Sequence, residues 1–468
     1  MGRSNIYTSP VDEPTIKRLI ADEAALFRAR NPKSGELFRD ASESGFWHGV
    51  PMQWMAEWGL PHPLYVEQAR GAHLTDVDGH TYADFCLGDT GAMFGHSPGA
   101  TLAAVADGLD RGFTTMLPHA EAVAVAGHLR ERFRLPYWQT AMTATDANRF
   151  VIRIARALTG RPKVLVTRYC YHGSVDESMS KLVDGRPAPR AKWDVNPGVR
   201  TDQIARIVEF NDFTDIEREL ANEDVAVVMM EPVMTNNGMV LPADGYLEHV
   251  QALCREHGSY LLLDETHTLS TGWAGYASEH GLDPDVVVIG TAIAGGLPVA
   301  IYGFTEPISE AMNATFANKF QTSQMGLGGT LTGNAFVLRA MHATLTEVAT
   351  PAAFDEMIRM STRAADGLEA AIASAGLLWT VTRCGARAEL QYLSETPRNG
   401  TESHDALDWN LIEHSHMFLL NRDVMITPFH NMILCSPETA EAGVDKLVAV
   451  FAEWMQLIAA NRTERGIP

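Results

Sequence analysis

The sequence predicts an α/β protein, with a large domain built on a parallel or mixed sheet covered on both faces and a smaller α+β domain. Three observations carry this. Five short runs, KVLVTR (163–168), VAVVMMEP (225–232), YLLLDET (260–266), DVVVIG (285–290) and VAIYGF (299–304), are apolar throughout, as strands buried on both faces are. Helical patterns alternate with these runs from about residue 100, an order that lays strands side by side with helices between them. After residue 331 the order changes to long helices, then WTVTRCGARAELQYL, then VMITPFHNMILCSP before a last helix, which suits a second, smaller domain.

Taken from the start, residues 12–31 carry helical periodicity, and a loop rich in Gly, Trp and Pro follows to about residue 64. LYVEQARGAHLTDVDGHTYADF then predicts two or three short strands around the turn Asp78-Gly79. The expected division is residues 1–75 as an N-terminal helix and arm contributing to the small domain, 76–335 as the large domain, and 336–468 as the C-terminal small domain.

The chain has 468 residues, 46% of them hydrophobic, enough for a large core and two domains. With 37 Lys+Arg against 58 Asp+Glu the formal charge is -21, which argues against non-specific nucleic-acid binding. Five scattered cysteines without a CxxC pair point to a reducing compartment. The N-terminus MGRSNIYTSPVDEP lacks an apolar signal run, and no stretch reaches membrane-spanning length. A cytoplasmic protein with no membrane segment and no metal site is therefore expected.

Three polar clusters fall where the predicted strands end, the edge at which α/β sheets gather ligands. MTATDANRFVIRIARALTG (142–160) runs small hydroxyl residues into a helix that Asp146 and Asn148 help to start. Its first amides, with the hydroxyls of Thr143 and Thr145, would cradle a phosphate, although Thr-Asp at a helix start is also ordinary capping. YCYHGSVDES (169–178) places Tyr171 and His172 just past a strand, where an aromatic either stacks on a flat ring ligand or packs its loop. In LLLDETHT, Asp264 ends an apolar strand, so its carboxylate needs a cationic or hydrogen-bonding partner. His267 lies three residues on.

In this order, with Glu231-Pro232, GTAIAGGLP (290–298), GHSP (95–98), DVDGHTYADF and GGTLTGN (328–334), the chain resembles the class III aminotransferases over roughly residues 65–460. These are pyridoxal-phosphate (PLP) enzymes of fold type I, with glutamate-1-semialdehyde aminomutases and β-amino-acid or amine aminotransferases among them. The resemblance implies a mostly parallel, seven-stranded type of sheet in a PLP-binding large domain, and a homodimer with shared active sites. It also implies roles for single residues. Thr143, Ala144 and Thr145 match the phosphate loop, and Tyr171, followed by His172, matches the aromatic on the pyridine ring. Asp264 matches the carboxylate paired with the ring nitrogen, which keeps the ring an electron sink. Thr266 falls where an aliphatic residue packs on the ring, and His267 where a Gln or similar residue reaches the ring hydroxyl. Thr330 matches the residue that reaches the phosphate in the neighbouring subunit.

One position departs. The family's lysine, which holds PLP covalently and shuttles the substrate proton, is expected 27 residues after Asp264, and Thr291 stands there. A threonine hydroxyl forms no imine and is a very weak base. Of the remaining lysines only Lys319 lies in a loop near the expected site, before GGTLTGN. Three readings follow: an aminotransferase whose turnover Thr291 impairs; an enzyme using PLP or pyridoxamine phosphate (PMP) without a covalent anchor, aminomutase- or dehydratase-like; or a PLP-binding protein without catalysis.

For the substrate, relatives that take a carboxylate pair it with an arginine. Where some of them carry that arginine, this chain has Phe429, His430 and Asn431, and Arg387 in CGARAEL is the nearest alternative by motif. An aromatic and two neutral polar groups suit an amine or a β- or ω-amino substrate, with an oxo compound as acceptor.

Overall fold

A computed structural model describes residues 7, 9–190, 198–315 and 326–463. It divides into two compact units: one takes the described residues up to Ser97, Asp355–Pro397 and those from His404 on; the other takes Pro98–Phe354 and Arg398–Ser403.

The first unit opens with the helix Glu13–Arg30, capped by Asp12, whose side chain accepts the Thr15 amide. Strands β1 (Val66–Arg70), β2 (His73–Asp76) and β3 (Thr81–Asp84) follow. They pair antiparallel in that order. The turn between β2 and β3 holds Asp78 and Gly79, the latter at φ 95°, a conformation open to glycine.

The second unit carries β4 (Tyr137–Ala141), β5 (Lys163–Thr167), the hairpin β6 (Ser180–Val183) and β7 (Arg186–Pro189), then β8 (Ala205–Val208), β9 (Val225–Met230), β10 (Tyr260–Asp264), β11 (Val286–Gly290) and β12 (Ala300–Phe304). Seven of these form one sheet in the order β4-β12-β11-β10-β9-β5-β8. Strand β12 runs antiparallel to both neighbours and every other pairing is parallel. All five predicted apolar runs are strands of this sheet. Every residue of β9 and β11 is buried, which is why neither strand shows polar alternation. Against the sheet packs the helix Ala144–Thr159 through Ala147, Val151, Ile152 and Ala155, in one core with Val164, Val227, Leu262 and Val288. Cutting Ile152 or Leu262 back to alanine would cost about 2–5 kcal/mol.

The first unit is completed by β13 (Thr380–Cys384), β14 (Arg387–Gln391), β15 (Val424–Met425) and β16 (Met432–Leu434). The order β13-β14-β16 makes an antiparallel sheet, and β15 joins β3 in parallel. Its core centres on Trp454, which stacks on Trp379 and donates its indole N–H to His414 Nδ1 at 2.9 Å. None of the described helices is long and apolar enough to cross a membrane.

Candidate active site

Because β4, β5, β9, β10 and β11 run in one direction, the residues that follow them lie along one edge of the sheet. Thr143 follows β4, His172 follows β5, Glu231 follows β9, Asp264 ends β10 and Thr291 follows β11. Chain positions up to 148 apart are thereby brought to one edge, the ligand edge of such sheets.

Asp264 is buried and fully engaged. Its Oδ1 accepts the Thr266 amide at 3.1 Å and the Thr266 hydroxyl at 2.7 Å. Its Oδ2 accepts Asn148 Nδ2 at 3.0 Å and faces His172 Nδ1 at 3.0 Å. Burial opposes the charge, but His172, Thr266 and Asn148 outweigh it and hold the carboxyl at about 2. Burial likewise disfavours a charged His172, and the Asp264 carboxylate together with Cys170 reverses that, lifting the imidazole to about 10. The pair is thus carboxylate and imidazolium at neutral pH.

Asn148 does not serve the helix start. The cap is Thr143, whose hydroxyl accepts the Asp146 amide at 3.1 Å, while buried Asn148 donates to the His172 carbonyl at 3.1 Å as well as to Asp264. Thr145 Oγ1 accepts the Ser174 amide at 3.1 Å. Between His172 and Ser174, Gly173 sits at φ 80°, and a Cβ there would meet Thr145 Oγ1 at 1.9 Å. The Tyr-His-Gly turn and the helix start are therefore seated on each other.

Gly290 closes the group: its amide donates to Thr266 Oγ1 at 3.1 Å, and a Cβ on it would come within 2.8 Å of Ala144. The next residue, Thr291, is exposed at φ 53° and ψ −53°, an outlier for a β-branched side chain. Positions of this kind store about 1–3 kcal/mol.

His267 lies half-buried beyond Asp264, its Nδ1 2.7 Å from Thr235 Oγ1. Tyr171 is half-exposed beside His172. Thr330 stands exposed in a turn. Lys319 lies outside the described residues.

The three expected substrate residues belong to the other unit. Arg387 is buried on β14, its Nη2 donating to Thr90 Oγ1 at 2.6 Å. His430 is buried with Nδ1 3.0 Å from Glu389 Oε1, whereas Phe429, at φ 73°, is exposed and sets its ring edge-on to Trp54. Burial disfavours charge on His430, and Glu389 with Asp89 tips the balance upward.

The residues that sequence reasoning left without a role are Glu231, Thr235 and, as a site residue, Asn148. Glu231-Pro232 was visible after a strand, but nothing in the chain marks Thr235 as its partner.

The family model for class-III aminotransferases matches residues 54–437. The chain is 32% identical over 343 residues to glutamate-1-semialdehyde 2,1-aminomutase of Anaeromyxobacter sp. (strain Fw109-5), covering 72% of this chain and 77% of that protein. Among solved structures, a glutamate-1-semialdehyde-aminomutase from Pseudomonas aeruginosa PAO1 matches at 42% identity and TM-score 0.93, over 96% of this chain and 100% of that one. A variant of such an aminomutase from that organism, with a lysine replaced by alanine and in complex with PMP, matches at 42% identity and TM-score 0.92, over 97% and 100%. With the fold-type-I sheet and this edge of polar strand ends, the chain belongs to the class-III aminotransferase family.

Proposed function

We propose that this chain binds PLP or PMP at the carboxyl edge of its large sheet and exchanges an amino group between a small amine or amino acid and an oxo acceptor, with turnover impaired by Thr291. The observation that carries the reading is the Asp264 carboxylate, buried yet ionised at a strand end. The residues fit the cofactor. The start of the helix Ala144–Thr159 offers amides and the Thr143 and Thr145 hydroxyls to a phosphate, and the Tyr171 ring is half-exposed beside His172. Bound there, the cofactor supplies an electron sink for the bonds at the amino-bearing carbon.

The chain's own residues divide the remaining work. Asp264 holds a proton on the ring nitrogen, with His172, Asn148 and Thr266 fixing its orientation. Tyr171 covers one ring face, and His267 reaches the ring hydroxyl. Thr330 serves the neighbouring subunit's phosphate in a homodimer, and Arg387, His430 and Phe429 serve the substrate. We place the protein in the cytoplasm.

A second reading, an aminomutase that moves nitrogen within one substrate, is favoured by the 42% identity to the Pseudomonas aeruginosa aminomutase. Conversion of a single amino aldehyde without an external acceptor would select it.

The test pairs the protein with its Thr291→Lys variant. Each is mixed with PLP, its visible spectrum recorded, then reduced with borohydride and weighed intact. Expected is a phosphopyridoxyl adduct and faster amine turnover in the variant alone. An adduct on another lysine of the unsubstituted protein, or turnover with PMP that the variant lacks, would overturn the reading of Thr291 as the vacated anchor.

A further inference from the structure

Arg132, near the end of the helix Glu121–Phe133, is only 3% exposed. Its Nε donates to the Trp273 carbonyl and its Nη1 to the Ala349 carbonyl at 3.5 Å. The guanidinium carbon lies over the rings of Phe133, Trp273 and Phe354, at 5.1, 5.4 and 5.3 Å from their centres. Nη2 is buried and has no hydrogen-bond partner among the described residues. All of these residues belong to the second unit.

Among the described residues no carboxylate offsets the charge of Arg132, and burial acts on it alone, pulling it down to about 9. Arg339, also buried in this unit, shows the usual arrangement, with Nε donating to Glu121 Oε1 at 3.1 Å. A guanidinium keeps its charge at neutral pH, and an uncompensated charge in an apolar interior is costly. Two carbonyl dipoles and three ring faces lower that cost. They carry no formal charge, however, and they leave the Nη2 donors unmet.

The donors that remain define the ligand. A carboxylate or phosphate takes a guanidinium through two nitrogens side by side. Here Nε and Nη1 are committed to carbonyls, so one nitrogen is left, which suits a single-atom acceptor. One cation calls for one negative charge. We propose that Arg132 holds a small monovalent anion of the halide class on Nη2, and that this anion site stabilises the second unit. It stands independently of the reading of the strand edge as the cofactor site. A water molecule on Nη2 would meet the donors and leave the charge unbalanced, and the two cases respond differently to salt.

The test follows urea unfolding of the full chain as chloride replaces gluconate at constant ionic strength. Above the Kd of a single anion, the apparent unfolding constant should fall about tenfold for each tenfold rise in chloride. Arg132→Met, which keeps much of the volume and removes the charge, should not respond. Iodide reports by a second route. The Trp273 ring lies against the guanidinium, so iodide bound there quenches its fluorescence. That part of the quenching should saturate, be reversed by chloride and be missing in Trp273→Phe. An unfolding constant indifferent to chloride overturns the proposal and leaves water on Nη2. An equal chloride response in Arg132→Met also overturns it, because the anion then acts elsewhere. If Arg132→Met does not fold, iodide decides: saturable, chloride-reversible quenching of Trp273 upholds the site, and quenching linear in iodide overturns it.

Discussion

The protein buries two histidine–carboxylate pairs of the same length and wires them differently. At the end of β10, His172 Nδ1 and Asp264 Oδ2 are 3.0 Å apart, and Asn148 and Thr266 supply three further hydrogen bonds to the carboxylate. In the other unit, His430 Nδ1 and Glu389 Oε1 are also 3.0 Å apart, but the second oxygen, Oε2, is buried with no hydrogen-bond partner. In a low-dielectric interior a fully accepted carboxylate is a fixed charge, whereas a half-accepted one retains capacity for another donor. The first pair is thus a fixed, fully hydrogen-bonded charge pair at the strand edge. The second keeps one acceptor open on the strand that carries Arg387.

The largest effect should come from breaking the first pair. Asp264→Ala leaves a buried imidazolium unpaired, and losing one partner of such a pair costs about 3–5 kcal/mol. PMP affinity should fall by at least about 10²-fold, since about 2.7 kcal/mol of counter-charge is lost. Absorbance titration with PMP and urea unfolding read the two effects separately. An affinity within about threefold of the parent would remove Asp264 from the site.

Next in size is the response to pH. His172 has a folded-state pKa of about 10 against an ordinary 6.5. Its contribution to stability is therefore complete below about 6.5 and is lost as pH rises toward 10. Asp264 is depressed from 3.8 to about 2, so its contribution is present above 3.8 and lost as pH falls toward 2. Buried Glu265 is pushed up to about 7, and its charging also lowers stability, chiefly between 4.5 and 7. The window from 7.5 to 10 therefore isolates His172 from Glu265. Urea midpoints of the parent should decline across it, and those of His172→Gln should decline less. Equal slopes would mean that the pair is not ionised in the folded state.

Asn148→Ala should be milder, about 1–2 kcal/mol, because it removes a neutral donor shared by Asp264 and the His172 carbonyl. The same residue shows where the sequence was legible and where it was not. Unbroken apolar runs revealed the strands, because buried parallel strands have no polar face, and a carboxylate ending such a run marked Asp264. Counting from it located Thr291. Asn148 sits in the first turns of a helix, where asparagine has an ordinary local explanation, and local chemistry cannot tell a cap from a donor aimed inward. Its partner is 116 positions away, and only the sheet order makes them neighbours. Glu231, Thr235 and His267 are hidden for the same reason, since Thr235 and His267 stand 32 apart on loops after adjacent strands. Arg387 and His430 were legible as residue types, but their burial was not, because β14 and β16 are short and the partners they meet, the Thr90 hydroxyl and Glu389, are not marked by the sequence around them.

The smallest expected effect lies in the second pair and tests whether its open acceptor matters. Glu389→Gln keeps the shape and removes the charge. It also offers an N–H₂ to the place where Oε2 had no partner. Two terms then oppose each other. His430 loses the carboxylate that raises it, so its pKa should drop toward or below the ordinary value as burial takes over. The fold loses a charge that was only half accepted, which is a gain. The net change in unfolding free energy should stay within about 1 kcal/mol of zero, while the His430 titration, followed by NMR, moves down. A loss of several kcal/mol would mean that Oε2 has a donor in solution. The two pairs would then be wired alike, and the contrast between them would disappear.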